Sequence, residues 1–338
     1  MFTVAKYVRK VQLTGKSTFI VSLPKNWATR HGISQGSQVV VEEVGPYLVI
    51  KPFKSGSEGG NKVAVVQVRA GDTVEAVVRR VIGAYVVGFE KVLVKSETAI
   101  TPMLRNAVRE TILSKLPGME IIAENEMEIE VQVLLNPGRL ALLDTVKRLA
   151  RVVQAVLHDS CNATASNNVN LMKEIAREDD NVDRVFLYSV RLINQAARGD
   201  TEETVDIVDL VTYRALVKLL ERIGDHAVNI AVNAVELGGH GDLLNTVSNI
   251  CYEALRVYND SVKAFFERNP YAVEEISSKA KELWRVEEEL LSSALQRLGS
   301  RELIALKSIL ESIRRVVEYS RDIGELALDM GISRVLHE

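Results

Sequence analysis

The sequence predicts a multidomain α+β protein: a small strand-rich unit, a small α/β layer and an all-α domain of six helices. Three observations carry this. Charge is uneven, +6 over residues 1–62, −2 over 63–135 and −7 over 136–338, although the 338-residue chain as a whole carries only −3. Six of the seven prolines fall at or before Pro137, and the remaining one, Pro270, stands where a helix begins. A Gly/Ser stretch at Lys54–Gly60 and the Asn136-Pro137-Gly138 break then divide the chain into 1–54, 61–136 and 138–332.

The first part alternates apolar and polar residues over Tyr7–Leu13 and Thr18–Leu23, starts a short helix at Pro24-Lys25-Asn26-Trp27, and alternates again over Gln38–Glu42 and Tyr47–Lys51. So short a run of strands buries little alone, so a second copy is expected to complete it. The middle part reads as a strand at Lys62–Arg69, a helix from Asp72, a strand at Lys91–Lys95, a helix after Thr101-Pro102, and strands near Glu120–Ala123 and Glu128–Leu134. With no glycine fingerprint or nucleophile motif at its strand ends, it is read as a spacer or dimerisation layer. The last part predicts helices over about 139–165, 168–198, 202–236, 242–268, 270–298 and 300–330, in two sets of three.

Composition excludes several classes. The longest apolar run, Val81–Phe89, falls far short of the ~20 residues that cross a bilayer, and the chain opens on an alternating pattern rather than a signal peptide, so no membrane insertion is expected. The two cysteines, Cys161 and Cys251, supply neither a disulfide framework nor a four-thiolate zinc site, and are read as reduced thiols of a cytoplasmic protein. Gly15-Lys16-Ser17-Thr18 lacks the glycine five residues upstream that a phosphate loop requires and leads into a strand, which rejects nucleotide hydrolysis. His158 and Cys161, three apart, lack an orienting third group, and no catalytic residue is assigned.

The sharpest constellation is acidic. Asp179 and Asp183 are one helical turn apart, and Glu221, Asp225 and the neutral Asn229 repeat that step in the next predicted helix. Four carboxylates gathered inside a bundle must protonate or bind a cation. Oxygen-only ligands favour a hard ion, Fe, Mn, Mg or Ca, and the Glu-x-x-His signature of di-iron bundles is missing. The competing reading pairs these acids locally, Asp180 with Arg184 and Glu221 with Lys218. Gly224 beside Asp225, and Gly324 beside Glu325, mark tight packing or a close approach of backbone or ligand. In the first part, Lys6, Arg9, Lys10, Lys16, Lys25 and Arg30 form a basic cluster suited either to a DNA backbone or to plain solvation.

Two resemblances follow from these motifs. Gln12–Trp27, His31–Val39 and Leu48–Pro52 resemble the AbrB/SpoVT swapped-hairpin domain, which implies an intertwined β dimer presenting Arg9, Lys10, Lys16, Lys25 and Arg30 to DNA, or a module that only dimerises. Asp179-Asp-Asn-Val-Asp183-Arg and Leu220-Glu-Arg-Ile-Gly-Asp-His-Ala-Val-Asn-Ile-Ala231 resemble the acidic helix motifs of the PhoU family. That resemblance implies two three-helix bundles and a metal cluster on Asp179, Asp183, Glu221 and Asp225. It also implies a second cluster on Glu287, Glu318 and Asp322, where Arg314 stands in the position that Glu221 holds in the first. The expectation is a cytoplasmic, homodimeric, non-enzymatic regulator of phosphate uptake that senses through its metal and binds DNA. The alternative is a dimeric adaptor that docks a phosphate transporter or sensor kinase without touching DNA.

Overall fold

The computed structural model describes residues 6–15, 17–44, 47–53, 63–134, 142–201, 205–294 and 297–335, without the side chains at 42, 44, 282, 284, 285, 287, 288 and 333–335. The linker at Lys54–Gly60 and the break at Asn136–Gly138 lie outside the described residues. The chain divides into two compact units, one ending at Asn61 and the other starting at Lys62.

The first unit pairs β1 (Gln12–Thr14) with β2 (Thr18–Ile20) and β3 (Val39–Val44) with β4 (Tyr47–Pro52), both antiparallel, with helix α1 (Lys25–Arg30) between the hairpins. Gly15, at φ +66°, takes the left-handed conformation that turns β1 into β2. None of its described residues is buried, and Val8, Phe19, Tyr47 and Leu48 stay 70–87% exposed. A lone pair of two-stranded ribbons has no core to hold it.

In the second unit, β5 (Val63–Val68), α2 (Val74–Val87) and β6 (Lys91–Ser96) form a βαβ crossover with β5 parallel to β6; α3 (Pro102–Lys115), β7 (Met119–Glu124) and β8 (Glu128–Val133) complete a sheet of order β5-β6-β8-β7. Thr73 and Thr101 cap α2 and α3 by accepting from the amides three residues on, and Pro102 sits at the first turn of α3 where its missing N–H costs nothing. Val92, Val94, Ile129 and Val131 face the helices and are wholly buried.

The helices that follow are α4 (Leu142–Ala165), α5 (Val169–Ile175), α6 (Asp179–Ala197), α7 (Ile207–Ala234), α8 (Gly241–Glu267), α9 (Val273–Ala294) and α10 (Ser300–Val335). The second predicted helix is thus two: at 176–178 the amides of Arg177 and Glu178 bond three residues back, and this tighter turn re-aims the chain before Asp179. The expectation of two reduced thiols is corrected. α4 and α8 bring Cys161 and Cys251 to a Cα–Cα distance of 5.5 Å inside the core, where they form a disulfide. The compartment argument drawn from free thiols therefore lapses. No helix among the described residues is long and apolar enough to cross a membrane.

The α/β layer is docked against α6. Arg191, 3% exposed, donates to the carbonyls of Tyr85 and Phe89; Asn194 and Arg198 donate to those of Val86 and Val87. The carbonyls of Val86 and Val87, at the end of α2, are thereby satisfied from a different part of the chain, while that of Tyr85 accepts from the Gly88 amide as well; two of the donors are cations at the negative helix end.

Candidate metal centre

The site is built where α6 meets α7. Val182 on α6 presses on Gly224 of α7 so closely that a Cβ there would stand 2.8 Å from Val182 Cγ1. Glycine therefore sets the helix separation, and the carboxylates on either side of that contact converge. One oxygen each of Asp183, Glu221 and Asp225 lie within 4.8 Å of one another. Oxygens sharing one hard cation are at most about 5 Å apart, since each metal–oxygen bond is roughly 2.0–2.6 Å, so this donor set fits such an ion by chemistry and by span. Asp179, one turn before Asp183, borders the trio and is not part of it.

The electrostatics record the crowding. Burial first, then the charges of Glu221, Asp179 and Asp183, push the Asp225 carboxyl up to about 7, although the residue keeps an open edge to solvent. Asp179 is raised as well, by burial and then by Asp183. Two ammonium groups offset part of the negative charge. Lys218 Nζ lies 2.6 and 2.5 Å from the oxygens of Glu221, the local pairing the sequence raised as its competing reading. Asp180 does not pair with Arg184 as that reading had it. It lies 3.2 Å from Lys115 Nζ, which also approaches Asp183 Oδ2 at 2.7 Å. Burial opposes the charge on Lys115, but the hydrogen bonds and charges of Asp183 and Asp180 outweigh it and raise its pKa. The middle layer, read as a spacer or dimerisation layer, thus supplies a charged group to the site; no sequence signal marked Lys115.

Asn229 leaves the acidic column. Its amide donates to Ser312 Oγ on α10 at 2.8 Å and its side-chain oxygen accepts from Asn233, tying the two halves of the bundle together. Gly224 and Gly324 both serve helix packing, the latter against Ile276. In the second half, Glu318 is held by Arg315 at 2.9 Å, and Asp322, its pKa raised by burial and then by Glu325, has Arg321 at 3.9 Å. Glu287 stands on α9 with its side chain outside the described set. Among the described residues, which leave out the Glu287 side chain, the acids of this half do not gather into a trio. The His158–Cys161 pair is spent: Cys161 is in the disulfide and His158 contacts Asp159.

Of the basic cluster, Lys6, Arg9, Lys10, Lys25 and Arg30 are exposed, Arg9 stacking 5.7 Å over Tyr7 and Arg30 donating to the Asn26 carbonyl; Lys16 lies outside the described residues.

Fold and site together define a helical-bundle protein with an acidic face where α6 meets α7 and a separate N-terminal β unit. Residues 146–234, the helices that carry the acidic trio, match the model of the PhoU domain, and residues 12–58 match that of the antidote-toxin recognition domain MazE of bacterial antitoxins. The chain thus carries a PhoU domain behind a MazE/AbrB-like domain. It is 27% identical over 125 residues to a phosphate-specific transport system accessory protein PhoU homolog of Clostridium acetobutylicum, a match over 36% of this chain and 57% of that protein. A protein of the same description from Aquifex aeolicus is 27% identical over 162 residues, 45% of this chain and 72% of the relative. Among solved structures, PhoU from Pseudomonas aeruginosa superposes with a TM-score of 0.51 at 17% identity over 57% of this chain and 96% of that one. The phosphate transport system regulatory protein PhoU from Streptococcus pneumoniae gives 0.50 at 17% identity, over 57% and 94%. These last two establish the fold.

Proposed function

We propose that this chain is a homodimeric, non-enzymatic regulator of phosphate transport whose PhoU domain holds a hard cation and whose front unit binds DNA. The observation that carries the reading is that the acidic trio Asp183, Glu221 and Asp225 lies inside the segment matching the PhoU domain. Phosphate enters through the names of the relatives. A second copy is supported by the front unit, whose described residues include no buried core. DNA is supported by the exposed basic residues on that same unit.

Asp183, Glu221 and Asp225 would hold the ion, bordered by Asp179, and the ion would supply neutralisation of their charge. Lys115 and Lys218 supply part of that neutralisation from the chain itself. Asp183 would divide its negative charge between an ion and Lys115, which holds its Oδ2, so the hold of α3 on α6 would weaken with the ion bound. A ligand shifts a protein between arrangements only by favouring one of them, and this contact differs between the two.

Elemental analysis of full-length protein purified without chelator tests the cation: Asp179→Asn with Asp225→Asn should lower its content, and equal content in mutant and parent sinks the site. Fluorescence anisotropy of the full chain on duplex DNA tests the front unit. Affinity should fall steeply with salt, as counterion release requires. No binding at low salt leaves the dimeric adaptor, docking a transporter or kinase, as the standing reading.

A further inference from the structure

α4 and α6 lie side by side, and Pro117, just after α3, closes a cleft between them of about 220 Å3. Its polar lining is Thr145 and Arg148 from α4 and Asn181, Arg184 and Tyr188 from α6. Two arginines, both exposed, line this space and no carboxylate does. Neither arginine has a hydrogen bond or ion pair among the described residues. The acid one turn before Arg184, Asp180, is engaged by Lys115.

Tyr188 supplies the independent observation. It is 6% exposed, and its hydroxyl is buried with no hydrogen-bond partner. Buried hydroxyls are almost always paired, so this one, closed to water but carried by a residue that lines the cleft, is available to a group there that accepts a hydrogen bond. Two unpaired guanidinium forks and a hydroxyl donor, with no acid in the lining and the Asn181 amide already donating to Glu178 Oε2, select an anion with several oxygens; guanidinium matches phosphate oxygens in paired hydrogen bonds. The volume lies below the roughly 300–1,000 Å3 of sites for drug-sized ligands, which leaves a small ion rather than a nucleotide.

We propose that this cleft binds inorganic phosphate, with Arg148 and Arg184 taking its charge and the Tyr188 hydroxyl donating to one of its oxygens. The choice of phosphate among tetrahedral oxyanions rests on the regulatory reading above; the cleft itself does not depend on the cation trio. Pro117 belongs to the loop that follows Lys115, so an anion seated here touches both partners of the joint between the α/β layer and the helices.

Isothermal titration of the full chain with inorganic phosphate, at fixed ionic strength and after removal of divalent cations, tests the proposal. One saturable site per chain is expected. Arg148→Gln with Arg184→Gln should weaken binding by about tenfold or more, and Tyr188→Phe, which removes no hydrogen bond from the described fold, should weaken it several-fold with unchanged helical circular dichroism. No saturable binding by the parent, or unchanged binding in these variants, overturns the site. Binding that is lost on cation removal, or in Asp225→Asn, would assign phosphate to the acidic trio and overturn it equally. Displacement by equimolar sulfate would overturn the identification with phosphate, and competition by a bulky phosphomonoester would overturn the size argument. If the cleft fails while cation content is normal, the reading of the acidic trio stands; if the cation is missing and phosphate still binds, only that reading fails.

Discussion

Lys115 Nζ lies 2.7 Å from Asp183 Oδ2, joining the last residue of α3 to the first turns of α6 across 68 positions of sequence. The contact makes the acidic face a joint between two layers. It also places an internal cation at the carboxylate that a metal ion would share.

Removing that cation should help a metal and harm the empty protein. Lys115→Met leaves more uncompensated negative charge at Asp183. It is expected to tighten Mn2+ binding by roughly fivefold, about 1 kcal/mol at the effective dielectric of a protein surface. The cation-free protein should lose about 1 kcal/mol of stability, because the pair is partly exposed. Titration calorimetry and denaturant melts check both; weaker metal binding in this variant would contradict the competition.

The empty site should also impose a pH dependence. Asp225 moves from 3.8 to about 7 on folding, so from roughly pH 4 to 7 the folded chain holds a proton that the unfolded chain has released. Stability of the cation-free protein therefore falls as pH rises through that window and levels off above it, and Asp179, raised too, acts in the same direction. Asp225→Asn should flatten the slope. Melts of stripped protein at pH 5, 6, 7 and 8 are the measurement, and a rise in this contribution with pH would refute the assignment.

Gly224→Ala pits helix propensity against space. Alanine gains about 1 kcal/mol in a helix interior, but its Cβ would meet Val182 Cγ1 at 2.8 Å, and overpacking typically costs about 1–3 kcal/mol. The expected net is a loss of about 1 kcal/mol together with weaker cation binding, since α6 must move away from α7. A stabilised variant with unchanged cation content would show that the contact does not set the site.

The Cys161–Cys251 bridge closes a loop of sequence separation 90. In the loop-entropy account a cross-link of that span contributes about 4–5 kcal/mol, of which bridges typically deliver about 2–4. Cys161→Ala with Cys251→Ala should lower the melting temperature by several degrees, and the parent, unfolded without reductant, should show no free thiol among the described cysteines. Two titratable thiols in that assay would dismiss the bridge.

Much of the architecture was legible because it is written locally. Thr101-Pro102 announces a helix start within three residues, and the alternation in β6 and β8 shows which side chains face the helices. The acidic columns were legible for the same reason, as an i, i+4 step is a property of one helix. The partner of Asn229 was not legible, because that step places a residue on a face without saying which neighbour covers it; here the neighbour is α10 and its Ser312. The break at 176–178 carries no glycine or proline to betray it.

Sequence by itself determined the elements apart from the split between α5 and α6, their order, the basic front and the pair of acid-bearing helices, because periodicity, capping and turn chemistry act over a turn or two of chain. Only the tertiary structure decided that Lys115 closes on Asp183, that Arg191 caps α2, that Cys161 meets Cys251 and that Tyr188 is left unpaired beside two arginines. Each of those depends on how far apart and at what angle helices distant in sequence pack, and that spacing is set by side-chain contacts such as Val182 on Gly224, which no local pattern encodes.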